Sequence, residues 1–184
     1  MIRGVLLRLF LLTGLAVAGV AHAEKADSDK PTNVEADQMA YDDVHQVNTF
    51  TGNVVLTRGT LIMRAAKLVV TQDPAGYQYA TLTAAPGALA TFRQKRDGGP
   101  NQWVEGEAVR IEYDGKAELV KLFTRAKLRR LEGTKPTDEV EGEFISYDSR
   151  AEFFSVNNTA TGESKPGGGR IKAVIQPRND AKGK

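Results

Sequence analysis

Apolar and polar residues alternate with a period of two along most of this chain, and Gly, Asp and Pro interrupt the alternation at short intervals. Val109, Ile111 and Tyr113 share one phase, with Arg110 and Glu112 in the other. Val120, Leu122, Ala126 and Leu128 likewise oppose Lys121, Arg125, Lys127 and Arg129. A strand turns successive side chains to opposite faces, so this pattern describes half-buried strands. Gln46 to Thr57, Thr60 to Thr71 and Tyr77 to Thr83 add the Val, Thr, Tyr and Phe content that strands favour. No window carries the i, i+3, i+4, i+7 stripe of an amphipathic helix. The pattern predicts an all-β, mainly antiparallel domain over 31–176.

The punctuation fits short connections. Arg58-Gly59, Asp73-Pro74-Ala75-Gly76, Asp97-Gly98-Gly99-Pro100 and Asp114-Gly115 are turn sequences between strand-rich runs. Ile171 to Ile175 reads as a last strand. Residues 177–184 read as a disordered polar tail and 24–30 as a flexible segment before the domain. A degenerate repeat runs through the chain: Tyr-Asp recurs at Tyr41-Asp42, Tyr113-Asp114 and Tyr147-Asp148, and Phe-Thr at Phe50-Thr51 and Phe123-Thr124. A unit near 35 residues with one eroded copy would fit a stack of hairpins.

Residues 1–23 read as a cleaved secretory signal. Arg3 and Arg8 precede an apolar run from Leu9 to Val20, and Ala21-His22-Ala23 is an A-x-A cleavage site. Removing 23 residues, two of them arginine and none acidic, from 184 leaves 161 with 23 basic and 23 acidic side chains. The processed chain therefore carries no net positive charge to support nucleic-acid binding. The expected location is the periplasm.

Chemistry is sparse. With 0 Cys there are no disulfides and no thiolate ligands, and after cleavage His45 is the remaining histidine. No G-x-S-x-G or H-E-x-x-H occurs. Asp27-Ser28-Asp29 opens like a calcium loop but has Thr32 and Gln38 where Gly and Glu belong. These facts predict no enzyme activity, no metal and no cofactor. The basic run Arg125 to Arg130 reads as the solvated face of a sheet. Arg93 to Arg96, beside Phe92, fits either such a face or a phosphate contact.

The block from Gln46 to Thr71, with Val34-Glu35-Ala36-Asp37-Gln38, Ala90-Thr91-Phe92 and Val104-Glu105-Gly106 leading to Tyr113, resembles the OstA-like family of periplasmic lipopolysaccharide-transport bridge proteins. The resemblance covers roughly 29–176. It implies an elongated, slightly twisted β-jelly roll, V-shaped and open-ended, whose apolar groove holds the lipid A acyl chains of lipopolysaccharide. It also implies partners: an inner-membrane LptC-type protein, the N-terminal domain of an outer-membrane LptD-type translocon, and further copies of the chain stacked head to tail. The positions matching family lipid contacts are Thr32, Val34, Phe92, Tyr113, Val120 and Leu122. Edge strands expected to dock partners carry Val34 and Glu35 at one end and Ile171, Ala173, Val174 and Ile175 at the other. Arg125 falls where the family's second Thr-Gly-Asn-like unit commonly carries Gly.

Elementary energetics suits that job. Each exposed CH2 costs about 0.8 kcal/mol, so one chain of a dozen carbons costs roughly 10 kcal/mol in water. An apolar groove shelters such a chain without His, Cys or metal. The competing readings are a structural periplasmic scaffold without lipid and a glycan-acting β-protein.

Overall fold

The computed structural model describes Asp27, 29–97, Gly99 and 101–177. The expected signal at 1–23, most of the segment 24–30 and nearly all of the tail lie outside the described residues. Twelve strands follow: β1 (Asn33–Glu35), β2 (Gln38–Asp42), β3 (Val47–Arg58), β4 (Leu61–Gln72), β5 (Gln78–Thr83), β6 (Ala90–Lys95), β7 (Gln102–Ala108), β8 (Arg110–Asp114), β9 (Leu119–Glu132), β10 (Lys135–Asp148), β11 (Phe153–Asn157) and β12 (Lys172–Ile175). Every pairing is antiparallel.

Four strands are unusually long, and their length explains the architecture. β3 and β4 have 12 residues and β9 and β10 have 14, against a usual five or six or so. Each pairs with different neighbours in its two halves. Val47–Thr51 of β3 face β2, whereas Val55–Thr57 face β1. The first half of β9 takes β8 and the second takes β7. The continuous sheet therefore folds over itself into two layers. One runs β2-β3-β4-β5-β8-β9-β10-β11 and the other β1-β3-β4-β6-β7-β9-β10-β12. Eight strands per layer at about 4.8 Å give an elongated jelly roll about 34 Å from edge to edge.

The bends are built by bulges. Register shifts between Thr51 and Val54 in β3 and between Gly142 and Phe144 in β10. Gly52 and Asn53 have φ of +82° and +46°, and Thr124 and Arg125 have +65° and +55°. The Asp37 amide donates to the Gly52 carbonyl at 3.0 Å, as the Val109 amide does to Thr124 at 3.0 Å. Shifting β2 by 72 residues lands on β8, end for end. The repeat is thus a whole corner unit of 72 residues. No 35-residue copy stands between, since Tyr77 immediately precedes a strand where Tyr41 and Tyr113 nearly end theirs. This shift also moves the expected departure: Thr124 occupies the Gly52 position, and Arg125 that of Asn53.

The repeated Asp ends its strand for a local reason. Asp42 Oδ1 accepts the His45 amide. Asp114 Oδ1 accepts those of Lys116 and Ala117, and Asp148 Oδ1 those of Arg150 and Ala151. A side chain that satisfies turn amides competes with the ladder and closes the hairpin. Asp27 departs from the flexibility expected of 24–30. It is 4% exposed and holds the β3–β4 turn, accepting from the Thr60 amide at 2.8 Å, Thr60 Oγ1 at 2.6 Å and Gln94 Nε2 at 3.2 Å.

Candidate functional site: the interior and its two ends

Between the layers lies one apolar cluster to which every strand from β3 to β10 contributes. Inward positions come in alternate pairs, such as Val54 and Leu56, Leu61 and Met63, Ala90 and Phe92, Val120 and Leu122, and Ala126 and Leu128. Of the expected groove residues, Phe92, Val120 and Leu122 are buried here, at 2%, 3% and 0% exposure. Val34 and Tyr113 are partly buried against the same cluster. Thr32 is half-buried and its hydroxyl donates to Gln78 Oε1 at 3.4 Å.

Thr32 and Tyr113 meet at a small cavity with Leu56, Met63, Val70 and Ala80. A second cavity joins Tyr113 and Val120 to Asp27, Arg58, Gln94 and Glu118. Each holds ≈ 20 Å³, room for about one water. Neither of these two cavities has room for an acyl chain. Burial pushes the Tyr113 phenol above its ordinary value, with the Arg58 guanidinium opposing the rise.

One determinant of this interior escapes a reading by residue type. A Cβ on Gly106 would lie 2.1 Å from Phe92 Cε1 and 2.8 Å from Leu122 Cδ2. The ring of Phe92 therefore rests on bare backbone of β7, directly across from it in register. The sequence signal was the Gly inside a strand, which marks a close approach.

The two ends are unclosed. Among the described residues, β1 and β2 pair with β3 alone, and β11 and β12 with β10 alone. Of the expected docking positions, Val34 and Glu35 lie on β1 opposite Leu56 and Val55. Ala173, Val174 and Ile175 lie on β12 opposite Val140, Glu139 and Asp138, and Ile171 immediately precedes it. The Gln176 amide donates to the Thr137 carbonyl at 3.1 Å. By alternation Val174 also turns its amide inward to β10, whereas Ala173 and Ile175 turn theirs to the free edge. Exposed large apolar side chains gather at these ends: Met39, Tyr41 and Val44 at one, Phe153, Ile171, Val174 and Ile175 at the other. The strands β2 and β11 complete the two ends, and the sequence reading had not singled them out.

The basic runs are largely neutralised on the outer face. Arg93 pairs with Glu105 and lies 4.4 Å over the Trp103 ring. Lys127 pairs with Glu139 and Glu141 at 3.4 and 2.6 Å, and Arg129 with Glu105 and Glu107 at 3.9 and 3.6 Å. Charge thus alternates in sign from strand to strand across β6, β7, β9, β10 and β12, where Lys172 reaches Glu141 at 3.5 Å.

The family described as LptA/(LptD N-terminal domain) LPS transport protein matches residues 33–153. The chain is similar to the lipopolysaccharide export system protein LptA of Haemophilus influenzae, 31% identical over 178 residues, which is 96% of this chain and 95% of that relative. The Escherichia coli protein of the same name is 36% identical over 142 residues, covering 77% and 72%. Among solved structures, LptH, the LptA homologous periplasmic component of the conserved lipopolysaccharide transport device of Pseudomonas aeruginosa, matches with a TM-score of 0.70. Its identity is 29%, over 82% of this chain and 99% of that one.

Proposed function

The chain belongs to the LptA/(LptD N-terminal domain) family of LPS transport proteins, and on that premise we propose that it carries lipopolysaccharide across the periplasm. In this reading the lipid A acyl chains lie between the two layers, against Thr32, Val34, Phe92, Tyr113, Val120 and Leu122. The role is carriage without chemistry, so it calls for no catalytic residue, metal or cofactor. The observation that carries the reading is the arrangement itself: one apolar interior runs the length of a roll whose two ends are unpaired strand edges flanked by exposed apolar side chains. An edge with free N–H and C=O groups templates another strand. Joining β1 of one copy to β12 of the next is a heterologous contact, which grows as a stack and continues the groove. The same edges would meet an inner-membrane LptC-type protein and the N-terminal domain of an LptD-type translocon, forming a bridge.

A photo-crosslinking residue at Tyr113, expressed in cells and blotted for lipopolysaccharide, tests the groove. The expected result is a lipid adduct at Tyr113 and none with the crosslinker at Glu139 on the outer face. Adducts at both positions, or at neither, would remove the interior from the proposal.

A further inference from the structure

Along the side where the turns of the two layers face each other, two arginines converge on one residue, Arg96 on the carboxylate of Glu152 and Arg130 on its backbone carbonyl. Arg96 follows β6 and Arg130 lies near the end of β9, both in the second layer. Glu152 comes from the β10–β11 turn of the first. Arg96 Nη2 donates to Glu152 Oε2, and its Nη1 to Gln102 Oε1 at 3.2 Å. Arg130 Nη2 donates to the Glu152 carbonyl at 2.6 Å, and its guanidinium stacks 5.0 Å over the Phe154 ring. The Arg96 side chain is 11% exposed and that of Glu152 35%.

This cluster differs from the rest of the charged surface. Lys127 and Arg129 each pair with two carboxylates, whereas here the Glu152 carboxylate pairs with Arg96, and Arg130 has the Glu152 backbone carbonyl. Among the described residues, the Nε atoms of Arg96 and Arg130 are buried and have no hydrogen-bond partner. Leaving a charged donor buried and unpaired is costly. A guanidinium offers five N–H groups in a planar fork, and the Glu152 side chain, which accepts from Arg96, does not fill both forks. A phosphate monoester can, with nearly two charges and three acceptor oxygens, and Arg forks match phosphate geometry.

We infer that Arg96 and Arg130 form a binding site for a phosphate monoester, held in the resting protein by Glu152. The position suits a lipid headgroup: acyl chains inside the roll would leave their polar head at this mouth, because it cannot enter the apolar interior. That source rests on the transport reading, whereas the anion site itself does not. Glu152 is exposed enough to swing into water when displaced, and its departure removes an ion pair that ties the two layers together.

The test uses purified full-length protein and three variants: Glu152→Gln, Arg96→Gln and Arg130→Gln. Binding is measured to phosphorylated lipid A, to the same lipid after enzymatic dephosphorylation, and to inorganic phosphate alone by 31P line broadening. Glu152→Gln is expected to bind phosphorylated lipid A roughly five- to tenfold tighter, the effect of removing one like charge about 4 Å away in a solvated site. Each arginine variant is expected to bind it more weakly, and all four proteins to bind the dephosphorylated lipid alike. Because Glu152→Gln is a gain, an arginine variant that fails to fold leaves the test intact. Inorganic phosphate that broadens with Glu152→Gln and not with Arg96→Gln upholds the site and assigns it free phosphate as well. The inference is overturned if Glu152→Gln shifts both lipids equally, or shifts neither and leaves phosphate unbound. A wild-type protein that takes up neither lipid sinks the transport reading instead, while the phosphate arm still decides the site.

Discussion

Gly106 lies so close under the Phe92 ring that a single methyl group has nowhere to go. Gly106→Ala forces the ring or the strand to shift within a packed core, which costs about 1–3 kcal/mol. Urea unfolding should show that loss, and a second change, Phe92→Leu, should recover part of it, since the two residues share one clash. No recovery in the double variant would move the limit from the ring to Leu122, 2.8 Å from the same position, or to the backbone of β7. The opposite case stands at Thr124, a β-branched residue held at φ +65° in the corner where the first repeat has Gly52. Left-handed backbone costs an L-residue about 1–2 kcal/mol, and a new glycine gives back about 0.4–1 kcal/mol in unfolded-chain entropy. Thr124→Gly is therefore expected to stabilise by about 0.5–1 kcal/mol, visible as a melting temperature higher by about 1–4 °C. A lower melting temperature would show that the Thr124 side chain contributes more than its strain takes away.

Strand by strand, the outer face of the second layer is a ladder of alternating charge. Its centre is Lys127 with Glu141: the hydrogen bond from Lys127 holds the Glu141 carboxyl below its ordinary range, and the same bond raises Lys127. A depressed carboxylate contributes stability above its unfolded pKa and loses it as pH falls through the folded one. A raised lysine contributes below its unfolded pKa and loses it as pH climbs through the folded one. The ladder should thus be intact at neutral pH and weaken both in acid, below about pH 4, and in alkali, above about pH 10.5. These pairs are partly exposed, each worth about 0.2–1 kcal/mol. Glu141→Gln should flatten the acid limb of a melting temperature against pH curve, and 1 M salt should shrink the difference. An unchanged acid limb would place that sensitivity in other carboxylates.

At the scale of the whole molecule, assembly depends on which backbone groups the last strand leaves free. Val174 spends its amide on β10, so proline there would damage the subunit itself. Ile175 points its amide to the open edge, where proline is tolerated. Ile175→Pro should keep the melting temperature of the isolated subunit nearly unchanged while weakening concentration-dependent self-association in sedimentation. Self-association at wild-type strength would remove β12 as the joining edge.

The sequence by itself determined the class of the fold, because period-two alternation and Asp-centred turns are local properties. It also determined the buried identity of Val120 and Leu122, which share one phase with Ala126 and Leu128, whereas Phe92 came from the family resemblance. It identified the family, through blocks that read in order along one chain. Only the tertiary structure decided that β4 and β10 each serve two layers. There the inward phase switches partway, from Leu61 and Met63 to Leu68 and from Val140 to Ile145, so a strict alternation test sees noise where the chain bends. It alone decided that Thr124 occupies a glycine position, since Phe-Thr matches at a shift of 73 while the hydrogen bonds repeat at 72. The convergence of Arg96, Arg130 and Glu152 was likewise invisible. Their contacts span 56 and 22 residues of chain, and nothing local in a sequence records which turns a folded sheet brings face to face.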